Sequence, residues 1–179
     1  MSIAFPNKIA VLQRDWLLDT VKRHPGRATV ICCEREPLDL ASFSRHFLLL
    51  PFDDLTLAQH AEAEGDSRLK NMVLPTQADV EKAISFARLH QAQTIFICCH
   101  AAVSRSPAIA WSILYDRTKD IKAATEQLFK VSPFSLPHRD IIKYALRAVN
   151  PAQPYEEADA LLKQFEDSKT PTDTWLNPL

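Results

Sequence analysis

The chain is expected to fold as an α/β domain in which a central, mostly parallel sheet is covered by helices. Short apolar runs of strand character at residues 28–33, 46–52 and 94–98 alternate with stretches of helical periodicity at 76–87, 106–116, 119–131 and 138–149. Strands that alternate with helices build parallel sheets. Of the 179 residues, 46% are hydrophobic and 24% charged, an ordinary globular balance with room for a substantial core.

Each element has its own warrant. Residues 9–23 set Ala10, Leu17 and Val21 beside Arg14, Asp15 and Lys22, a pattern that suits one amphipathic helix ended by His24-Pro25-Gly26. Residues 28–33 read as a buried strand and residues 46–52 as another, with Pro51 where the chain leaves the sheet. Residues 55–74 form a polar insertion around Ala61-Glu62-Ala63-Glu64-Gly65-Asp66, compatible with a short helix or a loop. Thr76 and Asp79 make a capping box, after which Val80, Ala83, Ile84 and Ala87 trace one helix face. The helix over 106–116 is apolar nearly all round (Ala108, Ile109, Ala110, Trp111, Ile113, Leu114) and should be buried. Two more helices present Ile121, Ala124 and Leu128, then Ile142, Ala145 and Val149, on their inner faces. Residues 1–150 are taken as one domain. Residues 151–179 supply a Pro151-to-Pro154 break, a short helix at 155–166 and a polar tail whose Trp175-Leu176 could dock on the domain or on a partner. Trp16 and Trp111 read as core. Gly26 and Gly65 are the two glycines, so turns must rely on the 12 prolines and on Asn or Asp.

Composition excludes several classes. A net charge of −1 gives no bulk attraction to nucleic acid or anionic membrane. No apolar stretch approaches the roughly 18 residues of a membrane span, and the first residues lack a signal-peptide core, which points to the cytoplasm. The four cysteines fall in two adjacent pairs, Cys32-Cys33 and Cys98-Cys99, without zinc-ligand spacing. No metal and no cofactor are expected. Cys32 and Cys33 read as strand packing, with a sharper alternative in which Cys33 or Cys98 traps an oxidised Cys99 as a disulfide. The oligomeric state is not legible.

The chemistry concentrates in Ile97-Cys98-Cys99-His100-Ala101-Ala102-Val103-Ser104-Arg105-Ser106-Pro107. A thiol and a guanidinium here bracket a five-residue turn from strand to helix. Such a turn aims backbone N–H groups at one point, a cradle for a phosphate-sized anion, and the same field favours a thiolate. Arg105 adds a planar fork able to grip two anion oxygens. Cys99 is therefore the candidate nucleophile, and His100, Ala101, Ala102, Val103, Ser104 and Arg105 are the candidate phosphate-binding residues. Ser106 either steadies the departing thiolate or caps the helix, and the two roles are compatible. His100 projects beside the nucleophile, toward substrate or toward solvent.

This segment resembles the signature loop of the cysteine-dependent protein tyrosine phosphatase superfamily, HCxxGxxR followed by Ser or Thr. Its Val103-Ser104-Arg105-Ser106 portion is most similar to the dual-specificity branch. Leu48-Leu49-Leu50-Pro51-Phe52-Asp53-Asp54-Leu55 resembles the strand and acid loop of small bacterial phosphatases of this type. Val73-Leu74-Pro75-Thr76 with the following helix, and residues 128–149 with Ser132-Pro133 and Leu136-Pro137, extend the likeness over roughly residues 28–150. The resemblance implies a tyrosine phosphatase-like fold and hydrolysis of phosphotyrosine, with phosphoserine and phosphothreonine as further substrates, through a phosphocysteine. It implies a phosphorylated protein or peptide as the partner. It also implies Asp54 as general acid, with Asp53 and, more weakly, Asp66 as rivals. Two positions depart from the pattern: Cys98 stands where the family has His, and Ala102 where it has Gly. They motivate a second reading, a phosphate-binding adaptor that no longer turns over. Sulfur transfer of the rhodanese kind, with its shorter cysteine loop, is a distant third.

Overall fold

Four strands, β1 (Ile9–Gln13), β2 (Thr29–Cys32), β3 (His46–Leu49) and β4 (Ile95–Cys99), run parallel in the spatial order β1-β4-β2-β3. The structure, a computed structural model, describes residues 8–23, 28–35, 44–62, 66–152 and 155–168. Register pairs Gln13 with Cys99, Cys32 with Cys98, and Cys32 with Leu49. All four carboxyl ends therefore reach one edge of the sheet. Crevices beyond that edge are where open parallel sheets bind ligands.

The two faces of the sheet are covered unequally. On one face Leu17 and Val21 of α1 (Arg14–Arg23) pack over Val30, Cys32 and Cys98. On the other lies the main core, built by α4 (Gln77–Leu89), α5 (Arg105–Thr118), α6 (Ile121–Val131), α7 (Arg139–Val149) and α8 (Tyr155–Ser168). The central α5 is buried from Arg105 to Asp116, as its all-round apolar sequence predicts. Its Trp111 stacks on Tyr115 and meets Phe165 of α8 edge-on, each at 5.0 Å, while its Nε1 donates to Thr125 of α6. One aromatic side chain thus ties three helices, and such a truncation to alanine typically costs about 3–5 kcal/mol. The Thr76–Asp79 capping box forms in both directions, satisfying two donors that the helix start leaves orphaned. The faces predicted for α4 and α6 are inward, save that Ile121 is half-buried.

Two expectations are corrected and a third is refined. Residues 9–23 are a strand and then a helix. The unbroken Ile9-Ala10-Val11-Leu12 run is too short for periodicity to assign, and pairing with β4 decides it. Trp16 is not core: Leu17 and Val21, four apart, define the inward stripe of α1 and leave Trp16 65% exposed. Described turns do fall on Asn71, Pro133 and Pro151, as expected, but the left-handed positions are not Asn or Asp. Among the described residues the left-handed positions fall on Lys8, Ala102 and Lys119, and Lys119 ends α5 by donating its N–H to Tyr115 O.

Smaller adjustments follow. β3 stops at Leu49, one residue before Leu50 donates to Cys32 O; Pro51 then has no N–H for a ladder. The insertion carries two short helices, α2 (Leu57–Glu62) and α3 (Ser67–Lys70). Gly26, Gly65 and the Trp175-Leu176 tail lie outside the described residues. Among those described, no helix is long and apolar enough to cross a membrane.

Candidate active site

The phosphate-loop candidate occupies the C-terminal edge of β4. Cys99 is the last strand residue, residues 100–104 curl, and α5 begins at Arg105. The curl passes through Ala102 at φ 57°, the left-handed position at which the related motif has glycine. An L-residue there costs roughly 1–2 kcal/mol, so the surroundings must hold the turn. The segment joining α6 to α7 does so from outside: Leu136 N–H donates to Val103 O at 2.8 Å and His138 N–H to Ser104 O at 3.3 Å. Cys98, which stands where the motif has His, takes no part. Alternation along β4 sends it to the α1 face, where it hydrogen-bonds Cys32.

Cys99 Sγ lies 3.1 Å from Ser106 Oγ. The sulfur belongs to the wall of a cavity of about 790 Å³ shared with His100, Ala101, Val103, Ser104 and Arg105. Although Cys99 is only 2% exposed, it faces this opening. Arg105 is held by one side of its guanidinium: Nη1 donates to Cys33 O at 2.8 Å and Phe52 O at 3.1 Å. Nη2 lies 3.6 Å from the buried Glu34 carboxylate. Nε has no hydrogen-bond partner among the described residues; the nearest carboxylate to it is Asp54, at 3.9 Å. A buried N–H left unpaired is costly, and a phosphate oxygen would satisfy it.

The structure separates the two neighbouring aspartates. Asp53 Oδ2 accepts from Val73 N–H at 2.7 Å and pairs with Arg35 at 3.3 Å, which makes it a brace between loops. Asp54 accepts from Ser104 Oγ at 2.6 Å, lies 3.9 Å from Arg105 Nε, and keeps a half-exposed carboxylate on the cavity wall. Asp66 is not among the residues that line the cavity.

Thiol chemistry differs around the site. Burial, and then the neighbouring Cys99, push the Cys33 thiol well above the ordinary range. Hydrogen bonding to Cys32, followed by burial, pushes Cys98 up as well. Both stay protonated at neutral pH. Cys33 belongs to the same core as Cys99, whereas Cys98 belongs to the opposite face. Of the two trapping partners that the sequence offers, only Cys33 is on the right side of the sheet.

The geometry gathers Cys99, Arg105, Ser106, Asp54 and the 100–104 loop at one place. Sequence reasoning missed Glu34 and Arg35, which join the cavity wall directly after β2. The available signal was positional: charged residues immediately after a strand paired with β4. Met72 on the same wall carried no signal. The rings of His46 and His90 meet at 4.6 Å in a tilted arrangement. Among the described residues, no group of three His, Cys, Asp or Glu could hold a metal.

A parallel sheet under helices, with a cysteine–arginine turn between its central strand and a buried helix, defines the protein tyrosine phosphatase-like fold in its dual-specificity form. Among solved structures the chain matches DUSP15 at TM-score 0.59 and 15% identity, covering 92% of this chain and 94% of that one. It matches PTPMT1 in complex with PI(5)P at TM-score 0.52 and 16% identity, covering 85% and 90%. No protein-family model and no curated protein matches the sequence.

Proposed function

We propose that the chain is a cysteine-dependent phosphatase that hydrolyses phosphotyrosine monoesters in proteins or peptides, and phosphoserine or phosphothreonine where these reach the sulfur. The observation that carries the reading is the anchored Arg105: two carbonyls hold Nη1, Nε makes no hydrogen bond among the described residues, and Arg105 lines one cavity with Cys99. Cys99 attacks phosphorus in line, the P–O bond to the leaving group breaks, and a phosphocysteine forms. Loop amides and Arg105 stabilise the equatorial oxygens. Asp54 gives a proton to the departing oxygen and then takes one from the attacking water. Ser106, 3.1 Å from the sulfur, donates to the thiolate as it leaves phosphorus.

Charge on the cavity wall bears on substrate. PTPMT1 is seen with PI(5)P, but here the wall carries Glu34, Asp53 and Asp54, Arg35 is paired to Asp53, and residues 99–105 contain no lysine. Such a wall favours a single phosphate over a polyphosphorylated headgroup. Turnover of para-nitrophenyl phosphate and a phosphotyrosine peptide, abolished in Cys99→Ser, is the expected result. Undiminished turnover in Cys99→Ser would refute the reading. Phosphopeptide binding with no wild-type turnover would replace it with the adaptor.

A further inference from the structure

A second concavity adjoins the cavity on the other side of the phosphate loop. It measures about 330 Å³, and its walls include Trp16, Val103, Val131 and Phe134. Ala101 and Val103 line both spaces, so the loop itself is the partition. The sheet order explains the arrangement. The cavity lies beyond the ends of β3, β2 and β4, whereas the groove takes Val11 and Gln13 from β1, on β4's other flank.

The two spaces differ in chemistry. The cavity wall carries the charged side chains Glu34, Arg35, Asp53, Asp54 and Arg105. The groove has no charged residue; its polar members are Gln13 and Ser132. Trp16 is 65% exposed and Phe134 81%, large apolar surfaces that an unliganded fold has no reason to present together. Trp16 sits off the inward stripe of α1, which turns it outward, and Phe134 sits in the turn after α6. That turn is rigid, since Ser135 closes on Ser132 O through both its N–H and its hydroxyl. It is also fixed to the phosphate loop by the Leu136–Val103 hydrogen bond. The groove therefore stands at a set position relative to Cys99.

We infer that this groove docks an apolar side chain of the phosphorylated polypeptide, within a few residues of the phosphoresidue, with Trp16 and Phe134 as specificity-determining residues. The inference rests on the phosphatase reading for what fills the cavity. Continuity through Ala101 and Val103 makes one extended chain the occupant that reaches both spaces, since each residue advances about 3.3 Å. A preorganised apolar wall adds affinity at little ordering cost.

The test is a set of phosphotyrosine peptides with Leu or Asp at one position at a time, within three residues of the phosphotyrosine. Wild-type kcat/KM is expected to favour Leu over Asp about tenfold at one position. In Trp16→Ala/Phe134→Ala that preference falls to within twofold, and the loss on the Leu peptide exceeds any loss on para-nitrophenyl phosphate about tenfold. A preference absent from wild type, one surviving both substitutions, or an equal loss on para-nitrophenyl phosphate overturns the inference. So does a wild-type dimer that the substitutions dissolve, or a loss confined to a phosphoester presented in lipid vesicles. If wild type turns over neither substrate, the phosphatase reading fails. The Leu-versus-Asp comparison is then made as peptide binding to Cys99→Ser, with and without the two substitutions, so the groove is judged separately.

Discussion

Ala102 offers a measurement of what the phosphate loop costs the fold. Its φ of 57° places an L-residue in the left-handed region, at roughly 1–2 kcal/mol. Glycine would remove that penalty but would give the unfolded chain more freedom, at about 0.4–1 kcal/mol. Ala102 is half-buried, so deleting its methyl group forfeits little packing. The net expectation for Ala102→Gly is a gain of about 0.5–1 kcal/mol, a rise in Tm of about 1–4 °C for a chain of this size. Ala101→Gly is the matched control: the same methyl is lost from the same loop, at a position without positive φ. It should lose about 0.4–1 kcal/mol. The difference between the two variants, read by thermal and urea denaturation, isolates the left-handed penalty. If Ala102→Gly is no more stable than Ala101→Gly, the turn described above is wrong.

Other predictions follow from the same site and core. Asp54→Asn keeps an acceptor for Ser104 but no proton to give, so kcat on phenyl phosphate falls about 10²–10⁴-fold; para-nitrophenyl phosphate, with its better leaving group, falls less. Asp53→Asn instead weakens the Arg35 and Val73 brace, lowering stability by about 1 kcal/mol; a larger kcat loss in Asp53→Asn than in Asp54→Asn would reverse the assignment. At neutral pH iodoacetate should label Cys99 and spare Cys33 and Cys98, whose thiols are held protonated, and peptide mapping reads this out. Mild peroxide should yield a Cys33–Cys99 disulfide and no Cys98–Cys99 species; mass spectrometry finding the reverse would contradict the placement of these thiols. Burial raises the Asp116 pKa, but Arg88 and Lys119 outweigh it and hold the carboxyl below its usual range. A depressed native pKa stabilises above the unfolded value of about 3.9 and is lost as pH falls through the native one. Asp116→Asn should therefore cost about 1 kcal/mol at pH 7, since both cationic partners are exposed, and the gap should close below about pH 4.

Much of the fold was legible because its signals are local. The Thr76–Asp79 box, the inward face of α4 and the all-round apolar α5 need only neighbours a few residues apart. The Cys99-to-Arg105 turn was legible for the same reason, since cysteine, loop and guanidinium lie within seven residues. What resisted reading depends on distant partners. Whether residues 9–13 coil or extend is settled by β4, more than eighty residues away. Asp53 and Asp54 are indistinguishable until Val73 and Arg35 claim one and Ser104 the other. Glu34 gains meaning only from Arg105, and the exposure of Trp16 only from the choice of face that α1 makes.

The bond from Leu136 to Val103, with its companion from His138 to Ser104, has a mechanical consequence. The Cys99–Arg105 turn is propped by the α6–α7 connection, with Cys98 rather than a histidine before Cys99, so its shape depends on a stretch of chain more than thirty residues downstream. Insertions or altered prolines between Ser132 and His138 would then reshape the 100–104 loop and tilt the Phe134 wall together.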